Sequence, residues 1–260
     1  MTLEAEIAEA ARLFDGAQLV AVASGAGISK ESGVPTFRDA QEGLWARYDP
    51  QQLATPEAFR RNPDLVWSWY MYRADLVGAV EPNAGHYAVV ELEELFPRVV
   101  VLTQNVDGLH IRAGSTDVVE LHGSIRRFKC SANCRGDPTI IDLSAIEYTG
   151  ETAPPCPYCG ARVRPDVVWF GEALPPAALE RAFEVASRCD VMLVVGTSGI
   201  VQPAASLPYR AKQSGAAIVE VNPQPGGITP IADVFLRGPS GRVLPRLVAA
   251  LRARRRKQTR

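Results

Sequence analysis

The chain has 260 residues, 47% of them hydrophobic and 22% charged, with a net charge of −1. That balance excludes a disordered polyampholyte and gives no overall electrostatic grip on nucleic acid or an anionic membrane. The length suits one large α/β domain, or such a domain carrying a small insert.

The first residues, "MTLEAEIAEAARLFDG", are acidic and amphipathic, unlike a secretory signal. No stretch reaches the length of a membrane-spanning helix. Val-rich runs then recur at 18–24, 98–105, 117–123, 190–198 and 216–222, and they read as buried strands of a parallel sheet covered on both faces. Helical patterns at 84–95, 175–188, 203–214 and 242–253 alternate with them, several opening at Pro or Asn. The fold class expected is therefore α/β, a doubly wound parallel (Rossmann-like) sheet. It is assigned to residues 1–45, 83–125 and 166–260 together. Two stretches break the rhythm: a helical, aromatic module at 46–82 and a cysteine-bearing module at 126–165. The last residues, "RARRRKQTR" (252–260), carry six cations and read as a solvated, fraying tail.

Five stretches hold groups capable of chemistry. "GAGISKESGVPTFRD" (25–39) follows the first strand. Gly25 and Gly27 would let the backbone approach a pyrophosphate, with N–H groups of a helix N-terminus to hold it, and Ser29 allows a polar contact. The third glycine and the ribose-binding acid of the usual fingerprint are missing, so a plain tight turn explains the glycines equally well. "TQNVDGLH" (103–110) ends another strand with Gln104, Asn105 and Asp107, either a carboxamide-binding loop or a loop capped by its own Asn and Asp. In "ELHGS" (120–124), His122 is the histidine best placed for acid–base work; His86 reads as structural and His110 as held within its own loop. Cys130 and Cys134, with Cys156 and Cys159, match a closed tetrahedral zinc site, structural rather than catalytic. Four paired cysteines in such a chain suit metal in a reducing compartment, the cytoplasm, while Cys189 reads as a small buried hydrophobe. "GTS" (196–198) and "VNP" (221–223) place small polar groups at two further strand ends.

Taken in order, "GAGIS…GVPTFRD", "TQNVDGLH…AG", "ELHG", the four cysteines, "RPDVVWFGE" (164–172), "GTS" and "VNP" resemble the sirtuin family of NAD-dependent protein lysine deacylases. The resemblance implies that Gly25, Ala26, Gly27, Ser29, Thr36, Phe37 and Arg38 line the NAD site. Gln104, Asn105 and Asp107 would frame the ribose and nicotinamide pocket, with Asn105 counted beside the general base His122 in the catalytic set. Gly196, Thr197, Ser198 and Asn222 would meet the adenosine half, and Ser240 would lie near the adenine. Val168 and Trp169 would flank the lysine of an acylated peptide paired as a strand. The family's reaction consumes NAD and gives nicotinamide, free lysine and 2′-O-acyl-ADP-ribose. A mono-ADP-ribosyltransferase would share its first step.

Tyr70 and Arg73, three apart in "SWYMYRAD" (68–75), resemble the signature of sirtuins that remove succinyl or malonyl groups, with Ala54 as the small residue before Thr55-Pro56. Spacing alone favours a surface arginine paired with Asp75 and a core tyrosine; the resemblance favours a carboxylate clamp. The partners implied are acyl-lysine proteins or peptides, with no nucleic acid and no membrane required. The resemblance also suggests a compact bacterial or archaeal type, a monomer without targeting of its own.

Overall fold

The computed structural model describes residues 2–35, 49–146, 148 and 150–258. Thr36, Phe37 and Arg38, expected in the NAD site, lie outside the described residues.

Six parallel strands make the main sheet: β1 (Leu19–Ser24), β2 (Arg98–Thr103), β3 (Val118–Glu120), and later in the chain β7 (Val191–Val195), β8 (Ala217–Asn222) and β9 (Val234–Arg237). Three more, β4 (Gly123–Cys130), β5 (Ile140–Ile141) and β6 (Val163–Val167), form a separate antiparallel sheet in the order β5-β4-β6. The main sheet runs β3-β2-β1-β7-β8-β9, so its strand order reverses direction between β1 and β7. A doubly wound sheet binds ligands at the carboxyl ends of its strands, at that reversal. β1 and β7 are almost entirely buried, as their unbroken Val/Ala/Leu runs require when helices cover both faces.

One face carries α1 (Leu3–Leu13), α5 (Ala84–Glu93) and α9 (Ser240–Gln258), whose Ile7, Val89, Leu92, Leu244 and Leu247 meet Val20, Val22 and Val101 of the sheet. The other face carries α7 (Pro176–Arg188) and α8 (Leu207–Gln213). Among the described residues no helix is long and apolar enough to cross a membrane.

The basic tail does not fray as expected. Residues up to Gln258 continue α9, and Arg252 pairs with Glu91 of α5 and with Glu94, which follows it, while Arg254 pairs with Asp15. Acids on two neighbouring elements match the spacing of the cations, which docks the last turns against the body. The strand Val234–Arg237 is a further departure from the expected elements: four residues are too few to show a period, and its sole sheet neighbour is β8.

Among the described residues the remaining α-helices are α2 (Pro50–Leu53), α3 (Pro56–Arg61), α4 (Pro63–Gly78) and the short α6 (Leu109–Ala113). Thr55 and Asn62 cap α3 and α4 through their side chains, each followed by a proline in the first turn. Trp67, Trp69 and Tyr70 of α4 are buried in one cluster with Phe59, Ile125, Cys130, Cys156, Val163 and Trp169. The helical and cysteine-bearing parts therefore share a core distinct from the two that cover the main sheet.

Candidate active site and metal centre

The carboxyl ends of β1 and β7 touch. The chain leaves β1 at Gly25, turns into a 3₁₀ segment over Ala26–Ser32, and presses Gly27 against Gly196, which comes directly after β7. The Gly27 N–H donates to the Gly196 carbonyl at 2.8 Å, and that of Gly25 to the Val195 carbonyl at 3.0 Å. A Cβ on Gly27 would stand 2.6 Å from the Gly196 oxygen, and one on Gly196 (φ +60°) 2.4 Å from the Ile28 nitrogen. These two amides are thus satisfied within the protein, and the segment they open is a 3₁₀ rather than an α-helix. The glycines allow backbone to pack on backbone at this turn.

Below this turn lies a closed set of polar bonds. Ser29, fully buried, donates to Asp107 Oδ2 at 2.7 Å and accepts from Asn105 Nδ2 at 3.1 Å. Asp107 Oδ1 accepts from the Leu109 N–H at the start of α6, and burial raises its pKa against the pull of the Leu109 and Ser29 bonds. The backbone N–H of Asn83 donates to His86 Nδ1 at 3.2 Å, so His86 Nε2 carries the proton and points at Ser29 Oγ 3.4 Å away. His110 reaches out of its loop to Ser24 Oγ on β1 at 2.9 Å, a longer reach than a bond within the loop. The two rings meet edge to face, 5.0 Å apart.

Burial holds His86 down at a pKa of about 4 and His110 at about 3. Both are neutral in the folded protein at pH 5, whereas an unfolded histidine binds a proton below about 6.5. Folded values below the unfolded one mean that stability is present above pH 6.5 and is lost as pH falls toward 4 and 3. We expect about 2–3 kcal/mol lost per histidine by pH 4.5. Urea unfolding at pH 7 and pH 4.5 of wild type and His110→Asn measures it; an equal acid loss in both proteins would remove His110 from the account.

His122 sits half-buried just after β3. Its Nδ1 lies 2.9 Å from the Gln104 carbonyl, which can only accept, so Nδ1 bears the proton and Nε2 offers a lone pair. Burial lowers its pKa, opposed by that bond. Gln104 Nε2 in turn donates to Thr197 Oγ1 at 3.2 Å, and Asn222 Nδ2 to the Thr197 carbonyl at 2.7 Å. Gly196, Thr197, Gln104, Asn222 and His122 are thereby gathered at the carboxyl ends of the strands. Beneath Asn222, the fully buried Glu220 accepts from Thr229 Oγ1 at 2.6 Å and fixes the loop that packs on Ser198. Glu220 is a single charge in a mostly apolar strand, and its role shows only in its burial and its bond to Thr229. Ser240 opens α9 and donates to Glu31, which also takes the Gly241 N–H, tying that helix to the 3₁₀ segment.

The expected substrate residues also meet. The Phe170 N–H donates to the Ala54 carbonyl at 2.9 Å, and the Val168 N–H to the His122 carbonyl at 2.9 Å. Tyr70 stacks on Trp169 with ring centres 6.1 Å apart, and the Arg73 guanidinium lies 5.1 Å from the Trp69 ring centre. Arg73 is 6% exposed, which removes the surface alternative.

The four cysteine sulfurs lie within 4.8 Å of one another. Cys130–Cys159 and Cys134–Cys156 are 3.6 and 3.9 Å apart, and all are free thiols. A tetrahedron with Zn–S bonds of ~2.3 Å has edges of ~3.8 Å, so the donor set fits zinc and leaves no open position.

A reversing parallel sheet with glycine-packed strand ends, a tautomer-fixed histidine and a four-thiol module defines an α/β nucleotide-site protein with a structural metal module. The model of the Sir2 family matches residues 25–203. An NAD-dependent protein deacylase of Pyrococcus abyssi is 51% identical over 247 residues, covering 95% of this chain and 98% of its own. NAD-dependent protein deacylase 2 of Pyrobaculum aerophilum is 56% identical over 233 residues, 90% and 91% of the two chains. The crystal structure of a Sir2 homolog–NAD complex superposes with a TM-score of 0.87 at 45% identity, over 95% of this chain and 94% of that one. The chain belongs to the Sir2 family, and within it to the NAD-dependent protein deacylases.

Proposed function

We propose that the protein removes both acetyl and acidic acyl groups, succinyl or malonyl, from lysine side chains of proteins, using NAD and releasing 2′-O-acyl-ADP-ribose. The burial of Arg73 inside the aromatic cluster of α4 carries the acidic-acyl part. Desolvation lowers the pKa of a guanidinium held there, a cost that a carboxylate entering the same pocket offsets. Tyr70 lies one helical turn away, its hydroxyl buried beside the Trp169 indole. The pair can take a carboxylate, Arg73 through N–H donors and Tyr70 through its O–H. Ala54, small and buried, belongs to the same cluster as Tyr70.

In this reading NAD, when bound, supplies an electrophilic ribose carbon and nicotinamide as leaving group. The chain's part is to orient and to move a proton. Asn105 and Asp107, locked by Ser29, frame the nicotinamide end. Thr197, Ser198 and Asn222 face the adenosine half, with Ser240 near the adenine and Gly25–Gly27 setting the turn between. His122 Nε2 takes the proton of a ribose hydroxyl. Val168 and Trp169 flank the acyl-lysine, whose peptide pairs as a strand along 168–170.

The test compares kcat/KM for one peptide carrying acetyl-lysine or succinyl-lysine, in wild type and Arg73→Met. Succinyl turnover should fall by about 30- to 1,000-fold, the loss of one partner from a buried charged pair, while acetyl turnover survives. If both substrates respond alike, Arg73 is structural and the acidic-acyl reading goes. Labelled ADP-ribose on protein, with no O-acyl-ADP-ribose in solution, would bring the ADP-ribosyltransferase forward instead.

A further inference from the structure

We propose that Arg164 and Glu172 are positioning residues for the acyl-lysine peptide, a buried clamp that fixes the backbone on either side of Val168. The inference rests on the reading that Val168 and Trp169 flank the substrate.

Arg164, on β6, is 5% exposed. Its Nη1 and Nη2 donate to the two oxygens of Glu172 at 2.6 and 3.0 Å, a two-pronged pairing that fixes both planes. Nη2 also donates to the Val167 carbonyl at 2.6 Å, and the guanidinium lies 3.2 Å from the centre of the Trp169 ring. Glu172 Oε2 accepts from the Trp169 N–H at 2.9 Å, and the Glu172 N–H closes the turn onto the Trp169 carbonyl at 2.9 Å. The carbonyl before Val168 and the amide after it are therefore held by one ion pair. Val168 itself hangs from the His122 carbonyl, so the same clamp sets the distance from the substrate-flanking residue to the base. Burial pushes the Glu172 carboxyl up, but the hydrogen bonds and charge of Arg164 outweigh it and leave its pKa below the usual range.

A buried ion pair is a poor way to gain stability alone, since an apolar pair of similar volume serves as well. What it provides here is geometry: a rigid fork and a flat face that holds the Trp169 indole from one side while Tyr70 and Phe59 pack against it. Trp169 is thereby placed between the ion pair and the Tyr70 ring. A displacement of 1 Å in such a segment costs on the order of 10²-fold in turnover when it misplaces a reacting group.

The experiment measures steady-state kinetics with an acetyl-lysine peptide and NAD, varied in turn, for wild type, Arg164→Lys, Glu172→Gln, Val168→Gly and Trp169→Ala, with ADP-ribose binding by calorimetry. Lysine keeps the charge but loses the fork and the stacking face. Peptide KM in Arg164→Lys should rise about tenfold or more, with NAD KM and the ADP-ribose Kd unchanged. Glu172→Gln, which can still accept from the Trp169 N–H, should show a smaller rise of the same kind. It carries the test if the arginine variant fails to fold. A fall in Tm with no change in peptide KM, or equal rises in both KM values, overturns the clamp. If Val168→Gly and Trp169→Ala also leave peptide KM unchanged, the substrate-flanking reading has failed; if they raise it and Arg164→Lys does not, the clamp alone has.

Discussion

His122→Ala should lower kcat/KM by on the order of 10²–10⁴, with the Kd of ADP-ribose unchanged. The Gln104 carbonyl fixes the proton on Nδ1, so Nε2 carries the lone pair that the proposed base would use, with the tautomer already chosen. In the proposed reading activity requires the neutral ring. Because burial lowers the His122 pKa, the neutral form persists below pH 6.5, and the acid limb of the pH profile of kcat/KM should fall below that value. The residual activity of His122→Ala should lack this limb. His86 and His110 cannot imitate it, since they titrate near 4 and 3, though circular dichroism at each pH is needed to separate their acid unfolding from loss of the base. An alanine variant retaining more than a tenth of wild-type turnover would place the base elsewhere, as would an acid limb common to both proteins. Gln104→Ala offers a second handle. The contact to His122 is through the backbone carbonyl, so this variant should leave the acid limb in place while losing the bond to Thr197 that joins the ends of β2 and β7.

What could be read from residues alone divides along physical lines. Strands β1, β2 and β7 announce themselves because a sheet covered on both faces needs unbroken apolar runs, and the proline- and asparagine-led helices because orphan N–H groups need caps. The four cysteines are legible because a metal imposes its own spacing. The glycines are legible as special but not in their role: Gly27 is glycine because of Gly196, a contact that exists only once β1 and β7 are neighbours. His110 looks local in the sequence, yet its partner is Ser24, on the first strand. The roles of Glu220 and of the Arg164–Glu172 pair are not legible in the sequence, since only burial and distance show what each charge does. The tail goes the other way, since clustered cations suggest solvent until α5 and Asp15 supply the acids.

Removing the metal should cost far more than the small size of its module suggests. Cys130 and Cys156 are buried in the same cluster as Trp67, Trp69, Tyr70 and Trp169, so the thiols anchor the core on which the proposed acyl pocket is built. Structural zinc contributes on the order of 10 kcal/mol to domains that depend on it. Cys130→Ser, or the wild type stripped by a chelator, should therefore lose bound zinc and fall in Tm. Its tryptophan emission should shift to the red, because three of the four tryptophans belong to this cluster. Deacylation should be lost while ADP-ribose still binds, since the glycine turn and the Thr197–Asn222 bonds belong to the other sheet. Unchanged emission and Tm after metal removal would show that the apolar cluster holds itself together. Loss of activity alone would not distinguish a structural from a catalytic metal, but exchange for cobalt does. Four thiolates complete a tetrahedron and leave no site for water or substrate. The cobalt protein should show the visible absorption of a tetrahedral thiolate site and turn over at the wild-type rate, whereas a metal that touched the reaction would change kcat with its identity.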